Sequence, residues 1–432
     1  MKKIYVKDAL NLKRNISISG WISYIRDYGK RYVLGLIDST GILKCTTNKN
    51  KIIKILKDLK IGDCVKINGT IKTWNKEKFL EISKIGIVSK NELSINPNPY
   101  KPFDIFKPSY AKTFLYNRHL YLVNPKFKNV LRIRHTSLQI LKDFFTENGF
   151  IEINPPEITQ LTYYGEKSAF DIDFWGTKAY LTQCGAYYLE AAILPFEKVF
   201  AFYRSFRKEK SKTSRHNAEF LQIKAEMAWA NLDDIMKLTE DMIYYLIRKL
   251  NEKCSKELKA LNVSLSVKGL KPPYPAITYN EALEILKKKG KELEWGKSLG
   301  ADEERILSKE FEKPFWVKNL PRKVEAFPYE ICEENPKLTK TADLLAPQGY
   351  GEIVGTAEKI YKYERLIERM KEKGLDPSDE RYKWYVELRK FGLPPHSGLG
   401  TGMSRILRWL LNLHHVREVI PFPRFYGKKP YP

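Results

Sequence analysis

The chain has few cysteines and no clustered ones. Its five (Cys45, Cys64, Cys184, Cys254 and Cys332) are scattered, and no pair has CxxC or metal-ligand spacing. That excludes a disulfide framework or zinc ribbon and leaves a reduced, cytoplasmic protein as the expectation. No apolar run reaches the ~20 residues a membrane helix needs. The N-terminal MKKIYVKDALNLKRN has no signal-peptide core, so no membrane partner is expected. A GxxxxGK[ST] phosphate loop is absent. The glycines Gly398, Gly400 and Gly402 lack both the GxGxxG spacing and the βαβ setting of a dinucleotide loop. Acid is scarce against base, 51 Asp and Glu to 76 Lys and Arg, for a formal net charge of +25. Such an excess suits a polyanion such as RNA, although a lysine-rich coding bias gives the same total. What is present, 43% hydrophobic residues over 432 positions, suffices for two or three domains with a large core.

Residues 1–92 read as short β segments: ISISGWISYIRDYGKRYVLGLID, GILKCTTN, DCVKINGTIK and KFLEISKIGIVS. Before the fourth strand, NKNKIIKILKDLKIG has helical spacing. Five strands with a helix there fit an OB-type barrel, which binds single-stranded nucleic acid on an open face. Residues 93–110 carry Pro97, Pro99, Pro102 and Pro108, a density that excludes helix and central strand and marks a linker. A larger domain, 111–432, follows. Within it, apolar residues from Val130 to Asn148 recur at helical spacing, and Gly149 ends that helix. LDDIMKLTEDMIYYLIRKLNEKCSKEL predicts a long amphipathic helix, and Thr278 with Glu281 a capping box.

The densest chemistry lies between Phe202 and Trp229, in FYRSFRKEKSKTSRHNAEFLQIKAEMAW. Read as strand, loop, strand, it ends the first strand with Arg207 and Glu209, which alternation puts on one face. Arg215, His216, Glu219 and Phe220 open the second strand. A guanidinium fork matches phosphate oxygens in pairs, and Phe220 offers a flat face to a purine. The same residue types also suit a solvated hairpin with salt bridges across it.

As a whole, this string resembles motif 2 of the class II aminoacyl-tRNA synthetases, in their asparaginyl and aspartyl branch. The carriers are Phe206-Arg207-Lys208-Glu209 and Arg215-His216-Asn217-Ala218-Glu219-Phe220. FFTENGFIEINPPEI resembles motif 1, and the glycines that lead from Gly398 to Arg405 resemble motif 3. ADLLAPQGYGEIVG and the closing VIPFPR match as well, so the resemblance spans nearly the full length. It implies an α+β fold: an N-terminal OB-fold β-barrel plus a class II synthetase antiparallel sheet flanked by helices, dimeric through Pro156 of motif 1.

The resemblance also implies a set of roles. ATP would lie with its α-phosphate on Arg207 and its outer phosphates on Arg215 or His216. Adenine would stack on Phe220, with Arg405 packed over it and reaching the γ-phosphate. Glu209 would lie near the adenine or the acceptor end of tRNA, and Asp343 and Glu352 would hold Mg2+. The barrel would bind tRNA through Arg26, Tyr32 and Lys44, with Tyr24 and Tyr28 also free to stack a base. The string TKAYLTQ-x-G-x-x-YLE is asparaginyl-like. In that pocket Glu190 would accept from a side-chain amide and Arg389 would donate to an oxygen.

Several positions depart from the family pattern. Tyr164 stands for a glutamate and Ala186 for a glutamine in the expected amino-acid pocket, which leaves a substrate ammonium short of partners. Glu166 is the candidate to replace them. Ser404 stands for a glutamate before Arg405. On the barrel, Val33 and Lys44 replace a stacking Phe and a Gln. The implied reaction is ATP-dependent activation of an amino acid, asparagine first, with transfer to tRNA. Two alternatives stay open: a paralogue that adenylates a related acid for a non-tRNA acceptor, and a non-catalytic RNA-binding protein that kept the shell.

Overall fold

The computed structural model describes residues 3–431 except Lys13, Pro102 and Lys212. Pro102 of the expected linker therefore lies outside the described residues. The chain forms two compact units, residues 1–104 with 123–125, and residues 105–122 with 126–432.

In the first unit, β1 (Asn15–Asp27), β2 (Tyr32–Ile37), β3 (Ile42–Thr47), β4 (Cys64–Trp74) and β5 (Glu77–Ser89) close a barrel in the order β1-β2-β3-β5-β4. Alternation decides what fills it. Ile16, Ile18 and Ile22 of β1 meet Val65 and Ile67 of β4 and Leu80 and Ile82 of β5 in the interior. The helix Asn50–Lys57 falls between β3 and β4 and adds Ile52, Ile53 and Leu56 to that core. Each such side chain stabilises the fold by about 1.5–3 kcal/mol relative to exposure. The expected OB-fold barrel is realised. One expectation on it is overturned. Tyr32 is a core residue, 4% exposed, whose hydroxyl donates to the Asp27 carboxylate. Its ring faces inward, so it has no face to offer a base.

The second unit contains β6 (Ile151–Glu152), β7 (Ile158–Thr159), β8 (Asp171–Phe174), β9 (Thr177–Leu181), β10 (Lys198–Phe206), β11 (Glu219–Ala228), β12 (Ala276–Thr278), β13 (Phe315–Lys318), β14 (Thr341–Ala346), β15 (Gly351–Lys359) and β16 (His396–Gly402). β7, β9 and β8 make a small sheet. The other eight run β12-β13-β14-β15-β16-β11-β10-β6. Pairing is antiparallel from β13 through β10 and parallel only at the two edges. The helix Leu232–Lys253 packs on β14, β15 and β16, and Ala186–Phe196 packs on β10 and β11. Thr278 caps Tyr279–Lys288 with the expected box, closed by Glu281. The helix expected from Val130 begins at Pro125, where proline's missing N–H costs nothing because first-turn donors have no helical partner. No helix among the described residues is long and apolar enough to cross a membrane.

Candidate active site

A cavity of about 600 Å³ opens on the middle of the large sheet. Period-two alternation along β11 turns Phe220, Gln222 and Lys224 toward it. Register places Gly402, Gly400 and Gly398 of β16 opposite Gln222, Lys224 and Glu226. A Cβ at Gly398 would meet the Glu226 carboxylate at 2.1 Å, so only glycine lets these strands carry long side chains between them. Gly355, Ala357 and Lys359 of β15 and Thr341 and Asp343 of β14 extend the floor. Arg405 enters from the first turn of the helix Met403–Leu410. Arg207, Arg215 and His216 also line the cavity.

The hairpin differs from its sequence reading. β10 stops at Phe206, and Arg215 and His216 lie in the loop before β11. One more backbone bond, Arg207 N–H to Ala218 O at 2.9 Å, still holds Arg207 in place. Glu209 lies beyond that bond, so the expected shared strand face is not formed. Its carboxylate is 3.9 Å from the Arg207 guanidinium, and it lines a neighbouring groove beside Phe425 and Tyr426 instead of this cavity.

At one end the cavity gathers charges suited to polyphosphate. Arg405 donates to Glu352 Oε2 at 2.7 Å. Arg215 pairs with Glu304, which also accepts the Glu352 backbone N–H at 2.6 Å. The Arg207 guanidinium centre lies 4.3 Å from the Tyr164 ring and 5.6 Å from the Phe220 ring. Burial opposes the Glu352 charge, but Arg405 and Arg215 outweigh it and hold its carboxyl below the usual range. Asp343 goes the other way: burial first, then Glu352, Glu325 and Glu304, push it well up. Burial, followed by Arg405, Arg215 and Arg207, lowers His216 to about 4, so it is neutral at physiological pH.

Asp343 and Glu352 converge beside Gly355, where a Cβ would lie 3.2 Å from Asp343 Oδ1 and 3.9 Å from Glu352 Oε1. No cluster of three or more His, Cys, Asp or Glu side chains could hold a metal among the described residues. Two carboxylates nevertheless fit Mg2+, which keeps waters and takes further oxygens from substrate phosphates.

The expected amide contacts are overturned. Glu190 and Arg389 are wholly buried and do not line the cavity. Arg389 donates to Glu190 Oε2 at 2.6 Å, to the Tyr385 hydroxyl at 2.9 Å and to Ile360 O at 2.9 Å. Tyr385 donates to the same Glu190 oxygen at 2.6 Å. Two charges sealed in a core pair through Oε2, because leaving either bare is costly, while Glu190 Oε1 is buried with no hydrogen-bond partner among the described residues. Ala186 is buried at the start of its helix, also outside the cavity. Glu166 is not the replacement expected: Arg381 and Lys178 hold it at 2.9 and 3.1 Å on the surface. Tyr164 does line the cavity.

Sequence reasoning missed Glu304, Glu325, Lys224 and Lys359. Alternation from Phe220 through Gln222 was signal enough for Lys224. The same alternation, Gly355, Ala357, Lys359 along β15, marks Lys359, and no local pattern marks Glu304 or Glu325.

On the barrel, the Arg26 guanidinium lies 5.4 Å from the Tyr24 ring centre, and Tyr28 is 62% exposed. Lys44, also exposed, pairs with Glu77 at 2.9 Å.

Holding a triphosphate with arginines on an antiparallel floor, where other nucleotide enzymes use a glycine loop before a helix, defines the class II synthetase design. The chain belongs to this family: residues 111–426 match the tRNA synthetases class II (D, K and N), and residues 16–98 match the OB-fold nucleic acid binding domain. It is 37% identical over 417 residues to an asparagine–tRNA ligase of Thermoplasma acidophilum, covering 95% of each chain. It is 36% identical over 429 residues to that of Pyrococcus abyssi, covering 97% of this chain and 96% of the other. The crystal structure of asparaginyl-tRNA synthetase from Pyrococcus horikoshii complexed with asparaginyl-adenylate superposes with a TM-score of 0.92 at 33% identity, with full coverage of both chains.

Proposed function

We propose that the protein is an asparagine–tRNA ligase. It uses ATP to convert asparagine into its adenylate and then esterifies tRNA. The observation that carries this reading is one cavity shared by Arg207, Arg405, Glu352, Asp343 and Phe220. Adenine stacks on Phe220. Arg207, screened by the Tyr164 ring, holds the α-phosphate and the substrate carboxylate. Arg215, His216 and Arg405 receive the outer phosphates. Mg2+ on Asp343 and Glu352, when bound, neutralises phosphate charge.

The asparagine carboxylate attacks the α-phosphorus in line. The bond to the bridging oxygen breaks, and pyrophosphate leaves with that electron pair. No side-chain base is needed, because the carboxylate is already ionised. Arg207 stabilises the charge that grows on the α-phosphate oxygens. In the second step a hydroxyl of the terminal adenosine of tRNA attacks the acyl carbon, AMP leaves, and the hydroxyl proton passes to the phosphate or solvent. Arg26, Tyr28 and Lys44 of the barrel contact tRNA. The enzyme acts as a cytoplasmic homodimer through the segment around Pro156.

ATP–pyrophosphate exchange across a panel of amino acids and related acids, followed by charging of total tRNA, tests the reading. Asparagine should drive both reactions. Exchange driven only by another acid, or no charging of any tRNA, contradicts it. The first of these outcomes would favour the paralogue that adenylates a related acid.

A further inference from the structure

Among the charged residues that line the cavity with no role assigned above are Lys224 and Glu325. Lys224 rises from β11 beside Gly400, buried; burial opposes its charge, and Cys184, Tyr164 and Glu226 around it outweigh that and favour it. Glu325 lines the same cavity from the loop that joins β13 to β14. Its carboxylate makes no hydrogen bond or ion pair among the described residues. The loop is tied to the end of β15 by the pairing of Tyr329 with Lys359. Lys224 and Glu325 thus reach the one cavity from different elements, a β strand and a loop.

Two amides near the substrate half are occupied, and the buried carboxylate of Glu226, behind Gly398 and outside the cavity lining, makes no hydrogen bond among the described residues and faces Lys359 at 3.8 Å. Gln183 Oε1 takes the backbone N–H groups of Tyr163 and Tyr164, both at 2.9 Å. Gln222 Oε1 takes the hydroxyls of Tyr203 and Ser205 at 2.9 and 2.7 Å. Glu352 is engaged by Arg405 at the phosphate end. An ammonium brought into a partly dry cavity needs an acceptor, and a charged one serves best.

We infer that Glu325 takes the α-ammonium of the bound amino acid, while Lys224 and Arg207 lie on its carboxylate side. The assignment rests on the amino-acid-activating reading above. It gives the site the two opposite charges that a zwitterion requires, with an anion supplied from a loop in place of the pocket positions now held by Tyr164 and Ala186. Burial, eased by Lys373 and reinforced by Glu352, pushes the Glu325 carboxyl up to about 7, and a neighbouring ammonium favours its charged form.

The experiment is ATP–pyrophosphate exchange with asparagine and with succinamic acid, the same acid without its amino group. It is run on the wild type, Glu325→Gln and Glu325→Asp, with folding checked by thermal melting. Glu325→Gln should raise the KM for asparagine about tenfold or more, with kcat, the KM for ATP and the weaker exchange with succinamic acid unchanged. Glu325→Asp should fall between. Loss confined to the amino-bearing acid is a readout that a merely structural role would not give. An unchanged asparagine KM in Glu325→Gln, or equal losses on both acids, overturns the assignment and leaves the asparagine reading standing. Exchange by the wild type with succinamic acid and with no amino acid overturns both.

Discussion

Arg215 is held by Glu304, a pairing that spans 89 residues of sequence with both side chains nearly sealed from solvent. Glu304 also fixes the backbone N–H of Glu352, so one carboxylate sets an arginine and an acid of the phosphate end. Glu304→Ala should therefore cost about 3–5 kcal/mol, because it strands a buried guanidinium. Thermal denaturation should show the loss, and the KM for ATP should rise with it. Adding Arg215→Leu should recover part of the stability but none of the ATP affinity.

Arg207→Ala and Arg405→Ala should each lower ATP–pyrophosphate exchange by roughly 10²–10³-fold, the usual effect of removing one donor to developing charge. Binding of tRNA to the barrel, measured by filter retention, should be unchanged. Full exchange in Arg207→Ala would contradict the phosphate role given to that residue.

His216 is lowered to about 4 by burial and by Arg405, Arg215 and Arg207. Its ordinary value is near 6.5. Between these pH values the unfolded chain binds a proton that the folded chain refuses, so stability falls as pH drops from about 6.5 toward 4. Denaturant titrations should show a shallower fall for His216→Gln over that window. The neutral imidazole also predicts no loss of ATP affinity between pH 7 and 8 from this group.

Tyr28→Ala and Arg26→Ala should raise the KM for tRNA in charging and leave exchange with ATP unchanged, since base–aromatic stacking is worth about 1–3 kcal/mol. Tyr32→Ala should behave differently. It removes a core ring and should cost about 3–5 kcal/mol of stability, visible as a lower melting temperature of the barrel transition.

The barrel and the antiparallel sheet were both legible in the chain. Alternation in strands such as Asn15–Asp27 marks the barrel, and the strings that resemble the class II motifs implied the antiparallel sheet, whereas the register that sets glycines opposite Gln222, Lys224 and Glu226 is seen only in the structure. The phosphate residues were legible because the hairpin brings neighbours in sequence into one cavity. Glu209 was misplaced because alternation was carried past the end of β10. Tyr32 was misplaced because which face of β2 turns inward is set by its partners in the barrel.

Sequence alone therefore determined the barrel, through its alternation, and, through strings that resemble the class II motifs, the family, its second domain and the groups expected to meet ATP. Tertiary structure alone decided the amino-acid half. Glu190 lies 195 and 199 residues from Tyr385 and Arg389 yet meets them, and His396, in the core, and Glu325 arrives on a loop with no pattern of its own. Whether a buried carboxylate faces a substrate or an arginine depends on which distant side chain reaches it first, and strand periodicity carries no information about that.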